Sequence, residues 1–112
     1  MKNYFRYIRG NHGKGLGAVM VSEFPNGEFK IGVSICNPND EFSKAEAHRV
    51  AEDNQANSNI YSFYEIIDGD WYADIVDSLP ARIEYDVVAT IWEIADDITM
   101  DYARSHYKSI MS

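Results

Sequence analysis

The stretch ARIEYDVVATIWEIADDITMDYARSHYK, residues 81–108, decides the fold. Its apolar residues recur at spacings of three and four: Ile83, Val87, Ile91, Ile94, Ile98 and Tyr102. An α-helix turns by about 100° per residue, so this spacing places them on one stripe. Arg104, His106 and Lys108 complement the negative end of the helix dipole. We therefore predict a long amphipathic helix that needs another layer of structure to cover its stripe.

Three stretches that precede this helix have strand patterns. Residues 4–9 and 16–23 are rich in apolar residues, many of them aromatic or β-branched. Residues 28–36 alternate, with one apolar face made of Phe29, Ile31, Val33 and Ile35. Asn26-Gly27 suits a tight turn between the second and third stretches. We predict an antiparallel hairpin, with the first strand completing a small sheet.

The middle of the chain predicts shorter elements. Pro38 ends the third strand, and Ser43 with Glu46 has the spacing of a helix capping box, so a helix is expected from about Lys44 to Gln55. In residues 60–67 the residue types favour a strand, but a helix stays open. Residues 71–79 indicate a short helix.

Together these patterns predict one α+β domain over residues 1–112. We expect a three- or four-stranded, mainly antiparallel sheet packed on the long C-terminal amphipathic helix, with one or two shorter helices. Residues 1–36 form a β-rich and slightly basic part, residues 37–80 are mixed, and residues 81–112 hold the long acidic helix.

Charge is distributed unevenly along the chain. Between Glu65 and Asp101 eleven residues are acidic and only Arg82 is basic, and the net charge of the whole chain is −8. Clustered Lys and Arg, which duplex DNA and anionic membranes require, are missing, so we expect neither as a direct partner. A basic protein is the partner that this charge favours.

Other composition features narrow the expected setting. Cys36 is the only cysteine, so no disulfide framework is possible within the chain. The sequence shows no signal-peptide pattern at its start and no apolar run near the ~20 residues of a membrane span. We expect a cytoplasmic protein.

The acidic residues of the C-terminal helix suggest a binding surface. Glu93, Asp97 and Asp101 stand four residues apart, about 6 Å of helix rise, against one phosphate per ~3.4 Å on each DNA strand. Like charges at this spacing destabilise a helix slightly, which suggests a partner, although a solvated helix face is the alternative. The full candidate surface comprises Asp70, Asp74, Asp77, Asp86, Trp92, Glu93, Asp96, Asp97 and Asp101.

Two tryptophans are candidate anchors within this surface. Trp92 falls at the margin of the apolar stripe, so it is expected to be half exposed among acids, or else to pack at the core boundary. Trp71 is the second candidate.

Catalytic and cofactor motifs are weak. The loop Gly10–Gly17 contains Gly13-Lys14 but lacks the spacing and the hydroxyl residue of a phosphate-binding loop. Cys36 is interpreted as a small buried thiol that ends a strand. We expect no cofactor and no metal, and a non-enzymatic protein. A small metal-dependent enzyme that uses Asp68, Asp70 and Asp74 is the further alternative.

The segment Gly32–Ala51 resembles small bacteriophage accessory proteins of unassigned function. In them a strand ends in Cys-Asn/Ser-Pro-x-Asp-x-Phe-Ser/Asn-Lys and continues into a helix that ends Ile/Val-Ala, which here is Cys36–Lys44 followed by Val50-Ala51. Those helices commonly continue into glycine and arginine, where this chain has Glu52-Asp53-Asn54. The resemblance implies a phage or prophage origin and no particular activity.

The functional hypothesis joins these observations. In size, acidity and lack of catalytic motifs the chain is similar to phage inhibitors of restriction and CRISPR effectors that imitate nucleic acid. We expect it to occupy the basic groove of a bacterial nucleic-acid-binding protein. The alternative is a structural or oligomerising accessory protein, for which a homodimer is the expected assembly.

Overall fold

The computed structural model describes residues 1–10 and 13–111, with side chains as far as Tyr107. Asn11 and His12, part of the expected Gly10–Gly17 loop, lie outside the described residues. The elements, in chain order, are β1 (Lys2–Arg9), β2 (Gly15–Glu23), β3 (Phe29–Ile35), α1 (Lys44–Ala56), β4 (Ile60–Tyr61), α2 (Phe63–Asp68), α3 (Tyr72–Val76) and α4 (Glu84–Met111). A 3₁₀ turn at Ala81–Ile83 leads into α4.

The four strands form one antiparallel sheet in the order β1-β2-β3-β4. The hairpin around Asn26-Gly27 aligns β2 with β3, from Glu23 opposite Phe29 to Gly17 opposite Ile35. With the helices, this sheet confirms the predicted α+β class and the long C-terminal helix.

The main core lies between one face of the sheet and α4. The sheet contributes Val19, Val21, Phe29 and Ile31, and α4 contributes the apolar stripe from Val87 to Ile98. The alternation predicted for β3 therefore has its structural reason, because its odd-numbered side chains face this core. Tyr102 departs from the prediction: it is half exposed, and its ring stacks on Phe63 at 4.5 Å.

The opposite face of the sheet packs closely on α1. Ala18, Ala47 and Ala51 form the small residues of this contact, and Met20 and the rings of Phe5, Tyr7 and Phe42 pack beside them. Gly32 of β3 is required here, because a Cβ at this position would lie 2.0 Å from the carbonyl oxygen of Ala51. α1 begins at Lys44 as predicted, and the Ser43 hydroxyl accepts a hydrogen bond from the backbone N–H of Glu46. The predicted capping box is only half formed, because the Glu46 carboxylate pairs with Arg49.

Residues 60–67 form mostly a helix, although their residue types favoured a strand. Only Ile60 and Tyr61 pair with β3, and α2 begins immediately afterwards. Ser62 and Glu65 explain the change, since they cap each other's backbone N–H groups in a complete capping box. Local capping thus outweighs the β-branched and aromatic content of this stretch.

Candidate protein-binding surface

The three regularly spaced acids of α4 face β1. Asp101 contacts Lys2 at 2.5 Å and accepts a hydrogen bond from the Tyr4 hydroxyl at 2.9 Å. Asp97 contacts Arg6 at 2.5 Å. Glu93 lies 3.6 Å from the same guanidinium. These acids therefore tie the last helix to the first strand.

The pairing shifts the titration of its members. Hydrogen bonds from Lys2 and then Tyr4 lower the pKa of Asp101 below its usual value. The hydrogen bond to Asp101 in turn raises the pKa of Lys2. The like-charge spacing in the sequence has a structural explanation that does not require a partner, because the missing bases come from a strand more than 90 residues earlier in the chain.

A second group of acids has no such partner. Among the ion pairs of residues 1–10 and 13–107, none involves the following acids: Asp68, Asp70, Asp77, Glu84, Asp86 and Asp96. Most of them are exposed to solvent. The uncompensated negative charge of the protein is therefore concentrated around α2, α3 and the first half of α4.

Trp92 lies within this second group. Its ring is 38% exposed and packs against the ring of Trp71, with 5.0 Å between centroids. Trp71 is fully buried, and its indole N–H donates to the carbonyl oxygen of Ile66 at 2.9 Å. The expectation of a half-exposed Trp92 is confirmed, whereas Trp71 is wrong as an anchor because solvent and partners cannot reach it.

The turn between α2 and α3 lies against the Trp92 ring. Gly69 caps α2 in the left-handed conformation, and a Cβ there would come within 2.8 Å of the Trp92 ring. Asp68 and Asp70 flank this glycine in the chain. Glycine thus provides both the turn and the room for the indole.

The same surface continues along α4. Asp96 follows Trp92 by one helical turn, and Tyr85, which is 82% exposed, precedes it by two turns. We define the Trp92 patch as these five residues: Asp68, Asp70, Tyr85, Trp92 and Asp96. It combines an aromatic ring that packs on buried Trp71 with negative charge that pairs with no base among the described residues.

Two of the predicted surface acids, Asp74 and Asp77, lie on and just after α3. Asp74 accepts hydrogen bonds from the Tyr61 hydroxyl at 2.8 Å and the Asn59 amide at 3.1 Å. Burial, and then the hydrogen bond to Asp74, raises the pKa of Tyr61 to about 12. Asp77 is exposed and Asp86 is partly buried. Of the nine predicted residues, Glu93, Asp97 and Asp101 therefore pair with β1 and Asp74 accepts bonds from Tyr61 and Asn59, while the other four acids take part in no ion pair among the described residues.

Cys36 and the acidic side chains are the remaining groups that could carry chemistry. Cys36 is partly exposed in the loop after β3, so the interpretation as a buried thiol is wrong. Its Sγ approaches the carbonyl oxygen of Asn37 at 3.5 Å. In the part of the chain that the structure describes, no three His, Cys, Asp or Glu side chains are grouped to hold a metal ion, and no helix is long and apolar enough to cross a membrane.

No family model matches the chain, and no curated protein or solved structure matches it either.

Proposed function

We propose that this protein works by binding a basic protein through the Trp92 patch, as a phage-type inhibitor of a bacterial nucleic-acid-binding protein of the restriction or CRISPR class. The observation that carries the proposal is the half-exposed Trp92 on its buried Trp71 support, beside acids without basic neighbours. Tryptophan dominates many protein interfaces when its ring is held in place. Complementary charge speeds the encounter and selects the partner.

The ion pairs of α4 bear on which charges we propose as the phosphate-like ones. Lys2 and Arg6 compensate Glu93, Asp97 and Asp101, which weakens the row that the sequence suggested. Asp68, Asp70 and Asp96 take part in no ion pair among the described residues. Asp68 and Asp70 flank Gly69, which lies against the Trp92 ring, and Asp96 follows Trp92 by one helical turn. We therefore assign the phosphate-like role to the Trp92 patch, and expect the acids that face β1 to contribute mainly to the fold.

The test is capture from bacterial lysate at low and high salt. The wild type is compared with Asp70→Lys/Asp96→Lys and with Trp92→Ala. The matched control is Glu28→Lys/Glu41→Lys, which makes the same charge change at two exposed sites outside the patch. We expect the wild type and the control to retain a nucleic-acid-binding protein that salt releases, and both patch variants to lose it.

Retention of the same protein by Asp70→Lys/Asp96→Lys would contradict the proposal. Reversing Glu93, Asp97 and Asp101 instead would be a poor test, because each new lysine would face Lys2 or Arg6 and loosen β1. Circular dichroism of every variant shows that the fold persists.

One observation favours the alternative of an oligomerising protein. Past Ile98, α4 leaves the core, and Met100, Tyr102 and Tyr107 are more than half exposed. Exposed apolar side chains on a projecting helix are a common contact between copies. Light scattering tests this: a dimer that persists in high salt and dissociates on Met100→Ser/Tyr107→Ser would favour the oligomer over the inhibitor.

A further inference from the structure

The outer edge of β3 is only partly occupied. β4 pairs with Phe29 and Lys30 alone, so within the described residues no strand lies beside Ile31–Ile35 on that side. Cys36 donates its N–H to Leu16 of the β2 strand. Because hydrogen bonding alternates along an antiparallel strand, Val33 and Ile35 direct their N–H and C=O groups away from β2, toward the open edge.

A side chain already substitutes for part of a missing strand. The amide of Asn54, on α1, donates to the Val33 carbonyl oxygen at 2.8 Å. A neighbouring strand would supply a backbone N–H at this position. The contact shows that the Val33 carbonyl oxygen points away from β2, and a guest strand would share this oxygen with the Asn54 amide or displace the amide.

This edge lies in a groove of about 520 Å³ between α1 and α3. Its walls are apolar at Val50, Ile75 and Leu79, and its ends carry amide and hydroxyl side chains. Asp74 is the only charged side chain that lines it among the described residues. The Tyr61 hydroxyl and the Asn59 amide fix the position of this carboxylate, and no cation in the described part of the chain contacts it.

We infer that this groove binds an extended segment of a partner protein. The segment adds to the sheet beside β3 and runs antiparallel to it, as β4 does. The guest backbone pairs with Val33 and Ile35, and alternate apolar side chains contact the groove walls. A lysine or arginine of the guest lies opposite Asp74, which supplies the charge complementarity. The inference concerns a surface distinct from the Trp92 patch and does not depend on it.

Two features favour a single strand over a second copy of the sheet. Helices α1 and α3 flank the edge, so another complete sheet cannot approach to the ~4.8 Å that strand pairing requires. The opposite edge strand, β1, carries Lys2, Arg6 and Arg9, the type of charge that protects exposed edges. None of the residues Ile31–Ile35 is charged.

In the experiment, a displayed library of random ten-residue linear peptides is selected for binding to the immobilised full-length chain. We expect enriched peptides to alternate apolar residues and to contain a lysine or arginine. Binding of a labelled, selected peptide should weaken roughly tenfold or more when its backbone is N-methylated at alternate residues, because the pairing N–H groups are lost. In the protein, amide hydrogen exchange at Val33 and Ile35 should slow on binding.

Two variants locate the site. Ile35→Pro removes an outward N–H that β2 does not use, and Asp74→Lys reverses the groove charge. Both should weaken binding, whereas Asp77→Lys and Trp92→Ala should leave it unchanged. If Ile35→Pro fails to fold, the N-methylated peptide and the exchange data decide.

Three outcomes would overturn the inference. They are the absence of enriched peptides, equal binding of the N-methylated peptide, and amide exchange that slows elsewhere in the protein but not at Val33 and Ile35. A wild-type dimer that Ile35→Pro dissociates would assign the edge to a second copy instead. Loss of the basic lysate partner through Trp92→Ala, with peptide binding intact, would support the proposed function and the groove separately.

Discussion

Single residues determine how closely the layers of this protein pack, and sequence patterns predict them unequally. The spacing of Ser43 and Glu46 correctly predicted that α1 begins at Lys44. The same spacing at Ser62 and Glu65 could have identified α2, but the strand-like residues between and after them concealed it. Gly32 gave no local signal, since alternation shows only that a small residue is tolerated there and not that a helix backbone passes over it.

Gly32→Ala should destabilise the protein by about 2–3 kcal/mol. The new methyl group would meet the Ala51 carbonyl and the backbone of Gln55, so α1 must move away from the sheet. The control is Gly27→Ala, where nothing lies within 4 Å and only the positive φ of +84° is unfavourable, which costs about 1 kcal/mol. Urea denaturation measures both, and equal losses would contradict the packing argument.

At the scale of elements, the contact between β1 and α4 is what the sequence hid most completely. Helical periodicity correctly separated the apolar side of α4 from its acidic side. From this pattern alone we expected the acidic side to face solvent or a partner, whereas three of its acids face β1. Bases located more than 90 residues away in the chain cannot be assigned to an acid without knowledge of the sheet order. Elements thus followed from local patterns, whereas the pairing between the elements did not.

The Lys2–Asp101 pair predicts a specific pH dependence. The pKa of Asp101 is lowered, so its stabilising contribution is present above its usual value of 3.8 and is lost as pH falls through the folded-state pKa. The pKa of Lys2 is raised, so the pair is also lost as pH rises above about 10.5. Asp101→Asn should therefore lower stability at neutral pH and converge on the wild type at both extremes.

Chemical denaturation across pH measures this convergence. Asp96→Asn serves as the control, because Asp96 takes part in no ion pair among the described residues and its replacement should not destabilise the protein. A difference between Asp101→Asn and the wild type that stays constant down to pH 2 would refute the assignment.

In the whole molecule one sheet serves two cores. Adjacent residues of β2 point to opposite sides, with Val19 and Val21 toward α4 and Ala18 and Met20 toward α1. The α+β class was predictable because the periods of the strands and of α4 are clear. The Trp92 patch was predictable only in part. The helical periodicity placed Trp92 at the margin of the apolar stripe, but the position of Asp68 and Asp70 near Trp92 depends on the turn at Gly69.

The shared sheet predicts a single unfolding transition. Ile94→Ala, in the α4 core, should lower the free energy of unfolding by about 3 kcal/mol because the residue is fully buried. Met20→Ala, in the α1 core, should shift the tryptophan fluorescence midpoint as much as the circular dichroism midpoint, although Trp71 and Trp92 lie on the other side of the sheet. Separate midpoints for the two probes would show that the cores unfold independently.

The position of α4 at the end of the chain also affects how the protein is made. The ribosome releases β1, β2 and β3 long before the segment from Val87 to Ile98 that covers them. Until that segment emerges, Val19, Val21, Phe29 and Ile31 have no cover from α4, and a growing chain in this state is prone to aggregate or to recruit a chaperone. β1 pairs with β2 along Lys2–Arg9, but the ion pairs of Lys2 and Arg6 form only after Asp97 and Asp101 are synthesised, so the link between the first strand and α4 is among the last contacts to form.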